Sequence, residues 1–228
     1  MWCRTSPTAP LTRQDGMTSR FHIDTRCLHT LALALCLAGA APVWSHAAAL
    51  NLSITDAAGK PLLDAVALLE PTTGKASMKP LPDVEISQSK RQFQPRVTVI
   101  TTGTRAVFPN FDTVRHHVYS FSPIKTFELK LYAGVPGAPV VFDKPGVAVL
   151  GCNIHDTMAA WVVVADTPWF ARTAASGQAR IDAVPPGSYR LRLWHPALPL
   201  NTEAVPIAIT VGSADIDHKA QLAVVAEP

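Results

Sequence analysis

One short segment of the chain carries a thiol, an imidazole and a thioether. Cys152, His155 and Met158 follow one another at the spacing Cys-x2-His-x2-Met. A second imidazole is available upstream, in the pair His116-His117. Two histidines, one cysteine and a weak axial methionine form the ligand set of a blue-copper site. The spacing predicts that one tight loop between two strands supplies three ligands and that the fourth comes from a distant part of the fold.

The mixture of ligand types favours copper over its competitors. Thiolate and thioether are soft and suit Cu(I), whereas imidazole suits both oxidation states. A structural zinc site prefers more thiolates, and a catalytic zinc site usually lacks a methionine ligand. A dinuclear copper site would need a second cysteine in the loop, and Cys152 is followed by none. We therefore expect one mononuclear copper centre that moves single electrons.

The two upstream histidines occupy consecutive positions. In an extended segment, consecutive side chains point to opposite faces. Only one of His116 and His117 should therefore point at the metal, and the other should face the opposite side or the rim. Chemistry alone does not distinguish them.

The N-terminal 47 residues have the layout of a secretory signal peptide. The run Leu28–Val43 is apolar, Arg13, Arg20 and Arg26 lie before it, and Ser45-His46-Ala47 fits a small-x-small cleavage site. The apolar run is short for a bilayer span of about 20 residues, although a retained anchor is an alternative. Met17 is a possible true start. We expect export to the periplasm, with no membrane association after cleavage.

The cysteine distribution agrees with a metal site. Cys3, Cys27 and Cys36 lie in the predicted leader, so the mature protein keeps only Cys152. An exported protein with one cysteine has no internal disulfide, and its free thiol is a liability unless it is buried or metal-bound. The alternative is a buried and inert cysteine.

The charge balance excludes one class of partner. The whole chain carries a formal charge of +3, and the part after residue 47 has 16 basic and 15 acidic residues. The sequence contains no block of basic residues that would indicate nucleic-acid binding.

We expect a monomer that meets redox proteins through small, transient interfaces.

The part after the leader is predicted to be all-β. Short runs of Val, Ile, Leu and Phe alternate with Gly, Pro, Asn and Asp, and no helical period of useful length occurs. We divide it into residues 48–82, with the first strands of a β-sandwich and a linker, residues 83–165, with the metal motif, and residues 166–228, with the remaining sandwich strands.

Residues 84–165 resemble the cupredoxin family of type I blue-copper proteins, and the ligand loop is similar to that of amicyanins. The family's upstream motif is Pro-His-Asn-Val, and here the matching segment is Arg115-His116-His117-Val118. The resemblance implies a Greek-key β-sandwich with Cys152 as equatorial thiolate, His116 and His155 as imidazole ligands and Met158 as the long axial thioether. His117 then takes the place of an asparagine that braces the ligand loop, and it stays the alternative ligand.

Two further resemblances concern the rest of the chain. The whole chain resembles larger proteins labelled methylamine-utilization proteins. The segments 56–65 and 176–191 resemble the two halves of a transthyretin-like or carboxypeptidase-regulatory-like β-sandwich. This implies a copper domain inserted between the early and later strands of a second, smaller sandwich, since insertion at a loop tip is well tolerated. The alternative is that the two flanking parts are separate minor extensions.

The expected function is that of a periplasmic one-electron carrier and not of an enzyme. A copper oxidase or nitrite reductase would need further histidine clusters for a second copper, and the sequence has none. One alternative is a copper-binding or copper-delivery protein, but the mature part has only Met78 and Met158, whereas such proteins often carry methionine clusters. The other alternative is a non-redox scaffold.

Overall fold

The computed structural model describes residues 47–199, 202 and 205–225. The predicted signal peptide lies outside the described residues apart from Ala47. All described residues belong to one compact unit that spans residues 45–228. The part of the chain that the structure describes contains no helix long and apolar enough to cross a membrane.

The described residues form strands and no helix, so the prediction of an all-β sandwich fold is confirmed. The strands are β1 (Ala48–Thr55), β2 (Val66–Pro71), β3 (Val84–Glu85), β4 (Ser87–Ser89), β5 (Gln92–Gln94), β6 (Val97–Thr101), β7 (Thr104–Val107), β8 (His116–Ser122), β9 (Lys125–Tyr132), β10 (Val140–Phe142), β11 (Gly146–Cys152), β12 (Ala159–Ala165), β13 (Phe170–Arg172), β14 (Gln178–Val184), β15 (Gly187–Trp194), β16 (Ile207–Val211) and β17 (Ile216–Gln221).

Strands from both ends of the described chain share two sheets, which we name the flanking sandwich. One sheet has the order β14-β1-β17 and the other β13-β2-β15-β16. Along β1, Leu50, Leu52 and Ile54 are buried and alternate with half-exposed neighbours, as a strand with one core face should. They pack against residues of the second sheet, including Leu69 and Leu191. Residues before position 72 and after position 169 therefore enclose one hydrophobic core.

The intervening residues 84–165 form a second layered structure, which we name the site sandwich. Its main sheet has the order β6-β12-β11-β8-β9, and the strands β10-β7-β3 and β4-β5 form smaller sheets. Most neighbours in the main sheet are antiparallel, but β6 runs parallel to β12. Phe108, Phe142 and Leu150 are fully buried in its core.

The outer face of the main sheet meets the flanking sandwich. Val97 of β6 and Val163 of β12 pack in one buried cluster with Val66 and Leu68 of β2. Side chains alternate between the two faces of a strand, so Val162 and Val164 face the inner core of the site sandwich while Val163 faces outward. The two sandwiches are thus joined by an apolar contact between sheet faces.

Candidate metal centre

The predicted ligand loop is the connection between β11 and β12. Gly151 and Ala159 are the last paired residues of this hairpin, so Cys152 and Met158 lie where the two strands continue into the loop. The loop turns tightly, and the amide of Met158 donates a hydrogen bond of 2.9 Å to the carbonyl of His155. Cys152 and Met158 are 4% and 1% exposed and lie in the buried core of the site sandwich. Both side chains therefore face the interior at one end of the main sheet.

His116 reaches the same place from a neighbouring strand. β8 is antiparallel to β11 and pairs Val118 with Cys152. His116 lies two positions before Val118, so it shares the inner face and projects beyond the end of β11. Its side chain is completely buried. Strand pairing thus joins residues that are 36 positions apart in the sequence.

The three side chains converge on one point. Nδ1 of His116 lies 3.6 Å from Sγ of Cys152, and Nδ1 of His155 lies 3.9 Å from the same sulfur. The donor atoms of all three residues lie within 4.8 Å of one another. Metal bonds of ~2.0 Å to nitrogen and ~2.3 Å to sulfur, as in zinc sites, would separate the two donors by ~3.5 Å at a tetrahedral angle and ~3.7 Å at a trigonal one. The donor set and its spacing therefore fit a shared metal ion.

His117 does not join this cluster. It lies on the outer face of β8, where its Nε2 is 2.9 Å from Oε1 of Glu128 on β9. This is an ion-pair distance without a well-aligned hydrogen bond. The ring also stands edge-on to Tyr119, with centroids 5.9 Å apart. The structure thus brings His116, Cys152 and His155 together, with Met158 in the adjoining core, and leaves His117 on the other side of the strand.

One residue of the site was missed by the sequence analysis. Oδ2 of Asp112 lies 2.9 Å from Nε2 of His116, the ring nitrogen that does not face Cys152. Backbone amides of Lys90 and Arg91 donate to the same carboxylate at 2.7 and 2.9 Å. Partial burial raises the pKa of Asp112, but hydrogen bonds from the Arg91 amide, His116 and the Lys90 amide outweigh it and lower the pKa. In the sequence, the spacing of four residues between Asp112 and His116 could have indicated this contact, but that spacing is not specific to metal sites.

The segment that leads to His116 is tied down by a buried amide. Nδ2 of Asn110 donates to the carbonyls of Val114 and Tyr132 at 2.9 and 3.0 Å, and its Oδ1 accepts from the Asp112 amide at 2.9 Å. These bonds hold residues 110–114 in one conformation. Asp112, and through it His116, is therefore positioned by the backbone and does not depend on a flexible loop.

A second polar side chain, that of Tyr132, lies near Cys152. The hydroxyl of Tyr132 donates to the carbonyl of Phe108 at 2.6 Å, and the buried side chain of Gln88 donates to the same hydroxyl. Burial raises the pKa of Tyr132 to about 12, although the Gln88 bond opposes this, and the charge of Cys152 raises it further. Tyr132 is therefore a neutral hydrogen-bond donor beside the cluster at physiological pH.

Comparison with known proteins gives structural neighbours only. No family model matches the chain, and no curated protein does. Among solved structures, a Cu-containing nitrite reductase from Thermus scotoductus is similar at 26% identity and a TM-score of 0.34, over 42% of this chain and 25% of that one. A purple cupredoxin from Nitrosopumilus maritimus is similar at 22% identity and 0.32, over 36% and 98%. An amicyanin from Paracoccus versutus is similar at 17% and 0.31, over 42% and 96%.

These similarities concern less than half of the chain, and the chain spans only a quarter of the length of the nitrite reductase. The TM-scores lie between 0.31 and 0.34. The information on function therefore lies in the chain's own cluster of side chains.

Proposed function

We propose that the protein is a mononuclear type I copper protein that carries single electrons between redox partners. The observation that carries this proposal is the convergence of His116, Cys152 and His155, whose donor atoms lie within 4.8 Å of one another. Met158, which is buried in the same core, is proposed as the weak axial ligand. Two imidazoles, one thiolate and a thioether are the donors of blue-copper electron-transfer sites. Bound copper would supply the one-electron couple.

The surroundings of the cluster suit electron transfer because they resist rearrangement. Cys152 and Met158 stand at the end of a regular hairpin, and His116 belongs to a strand of the same sheet. Asp112 holds the far side of the His116 ring. A ligand set fixed by strands and hydrogen bonds keeps similar geometry in both oxidation states, so little reorganisation opposes the transfer.

Burial separates the ligands into an inner and an outer group. His116, Cys152 and Met158 are buried, whereas His155 is partly exposed and its neighbour Ile154 is 48% exposed. We therefore propose that electrons enter or leave through the edge of His155. A buried thiolate and thioether also disfavour the alternative of copper delivery, because a delivery site must release its ion readily.

The predicted signal peptide supports a periplasmic location, and the lack of a second histidine cluster in the sequence supports a carrier and not an enzyme. We propose that the partners are redox proteins that bind transiently to a monomer. Such encounters use small interfaces, which suits the narrow exposed edge at His155.

The experiment that tests the function is a visible and EPR spectrum of the purified protein loaded with Cu(II). Intense orange-red absorption with narrow copper hyperfine splitting is expected, since a covalent copper–thiolate bond gives a strong charge-transfer band and spreads the unpaired spin onto sulfur. A sample loaded with Zn(II) is the matched control and should be colourless. A protein that stays colourless with copper, or that binds zinc in preference, would contradict the proposal.

A further inference from the structure

A cavity of about 850 Å³ lies on the outer face of the main sheet. One wall is formed by outward-facing residues of β8, β11 and β12, including Tyr119, Val149 and Trp161. The opposite wall comes from the flanking sandwich and includes Leu68 and Trp194. The cavity also reaches the ligand loop, because Cys152, Asp156 and Met158 line it, whereas His116 and His155 do not.

The wall formed by the site sandwich is aromatic. The ring of Tyr119 lies against the backbone of Gly151, where an added Cβ would be 2.7 Å from both Cζ and Oη of Tyr119. The rings of Tyr119 and Phe121 lie 5.1 Å apart and are tilted by 35°. Phe121 is 74% exposed although it is a large apolar side chain. Aromatic faces exposed inside a concavity are typical of sites for flat apolar molecules.

The same walls carry hydrogen-bond donors on three aromatic side chains. The hydroxyl of Tyr119 and the indole N–H groups of Trp161 and Trp194 have no hydrogen-bond partner within the described residues. Trp169 differs, because its indole N–H donates to the carbonyl of Ala183 at 3.1 Å. Indole and phenol groups in apolar surroundings usually find an acceptor, so a ligand with acceptor oxygens would complement this wall.

The charge of the cavity indicates a neutral ligand. Asp156 brings a negative charge to the wall and Arg192 a positive one, but the guanidinium of Arg192 already lies 3.1 Å from Oε1 of Glu70. An anionic ligand would have to compete with that carboxylate. The volume lies within the range of about 300–1,000 Å³ that is usual for small-molecule sites.

We propose that this cavity binds a flat, neutral aromatic molecule that carries carbonyl or similar acceptor oxygens, the chemical class that includes quinones. The aromatic walls would enclose the ring system, and the Tyr119, Trp161 and Trp194 donors would meet the oxygens. This inference does not rest on the proposed copper centre, because binding can be measured in the metal-free protein.

The probe is 2,3-dimethyl-1,4-naphthoquinone, whose methyl groups block addition of the Cys152 thiol to the ring. Saturable quenching of tryptophan fluorescence is expected, with the affinity checked by calorimetry. Trp161→Phe and Trp194→Phe should each remove part of the quenchable signal. Trp169→Phe is the matched control, since Trp169 packs against Tyr189 in the flanking sandwich, and it should leave both the quenching and the affinity unchanged.

A second pair of measurements separates recognition from simple apolar adhesion. Tyr119→Phe removes one hydroxyl and keeps the ring, and it should weaken quinone binding about 2- to 10-fold, the range for one lost hydrogen bond. Naphthalene, which has no oxygen, should bind more weakly than the quinone and should not respond to Tyr119→Phe. Absence of saturable quenching would overturn the proposal, and so would equal binding of both probes with no effect of Tyr119→Phe.

Discussion

Asp112 is in direct polar contact with His116, with Oδ2 of the carboxylate 2.9 Å from Nε2 of the ring. The other nitrogen of this ring, Nδ1, lies 3.6 Å from Sγ of Cys152. One nitrogen of the His116 ring therefore faces the proposed metal position, and the carboxylate of Asp112 holds the other nitrogen in place. A carboxylate on the far nitrogen fixes the tautomer of a metal-binding histidine and makes it a better ligand.

Removing this carboxylate should weaken the site without destroying it. Asp112→Ala is expected to lower copper affinity about 10- to 100-fold, the usual cost of losing such a partner, whereas Asp112→Asn should restore part of it through its amide oxygen. The measurements are copper affinity by competition with a chelator and the reduction potential. Asp143→Asn is the control, because Asp143 pairs with Lys125 in an exposed ion pair. Wild-type affinity and potential in Asp112→Ala would refute the role.

The two adjacent histidines should give opposite results. His116→Ala removes a donor 3.6 Å from the Cys152 sulfur, so it should abolish the type I spectrum. His117→Ala removes a side chain that faces Glu128 on the outer face, so the spectrum should persist. Visible absorption of the copper-loaded variants decides between them. The assignment would have to be reversed if His117→Ala lost its colour and His116→Ala kept it.

The sulfur ligands should differ in the same assay. Cys152→Ser should lose the intense colour entirely, since the absorption arises from the thiolate. Met158→Leu conserves volume and removes only the proposed weak axial ligand, so it should stay coloured with an altered reduction potential. A coloured Cys152→Ser protein would show that the chromophore lies elsewhere.

Core packing should dominate the stability of the site sandwich. Phe108 is fully buried, and its ring centroid lies 5.6 Å from that of Phe127 in the same core, so Phe108→Ala should lower the free energy of unfolding by ~3–5 kcal/mol. Phe121 is 74% exposed, and Phe121→Ala should change the free energy of unfolding by ~0.5 kcal/mol or less. Urea denaturation of the metal-free proteins measures both. Similar losses in the two variants would contradict this description of the core.

Stability should fall in mild acid partly because of His195. Its Nε2 lies 3.0 Å from the carbonyl of Leu63, and its Nδ1 accepts from the Ala197 amide at 3.1 Å. A second proton on the His195 ring, at Nδ1, would therefore face the N–H of Ala197, which is itself a donor. Burial lowers the pKa of His195, although the Leu63 bond partly opposes this. The unfolded chain then binds protons more readily, so the free energy of unfolding should decrease as pH falls below about 6.5, the ordinary histidine pKa.

Comparing wild type with His195→Gln at pH 7.5 and pH 5.5 isolates this contribution from other titrating groups. The variant should lose less stability between the two pH values, because glutamine does not titrate. An identical decrease in both proteins would mean that His195 plays no part.

The types of side chain at the site and the class of fold could be predicted from the amino-acid sequence. The spacing of Cys152, His155 and Met158 placed three donors in one short loop, because seven residues cannot separate them by more than a turn or two. Alternating apolar residues, as in Leu50-Asn51-Leu52-Ser53-Ile54, predicted strands because side chains alternate with period two. These features are local, so no knowledge of strand pairing was needed.

The contacts between residues that are distant in the sequence could not be predicted and follow from the folded structure. His116 faces Cys152 and His117 faces Glu128 because β8 pairs Val118 with Cys152, and the sequence does not contain that register. Asp112 joins the site because the amides of Lys90 and Arg91 hold its carboxylate. The cavity beside Tyr119 exists because strands from both ends of the described chain form a second sandwich against the outer face of the main sheet. Each of these relationships depends on long-range pairing, which the energy of the whole fold selects.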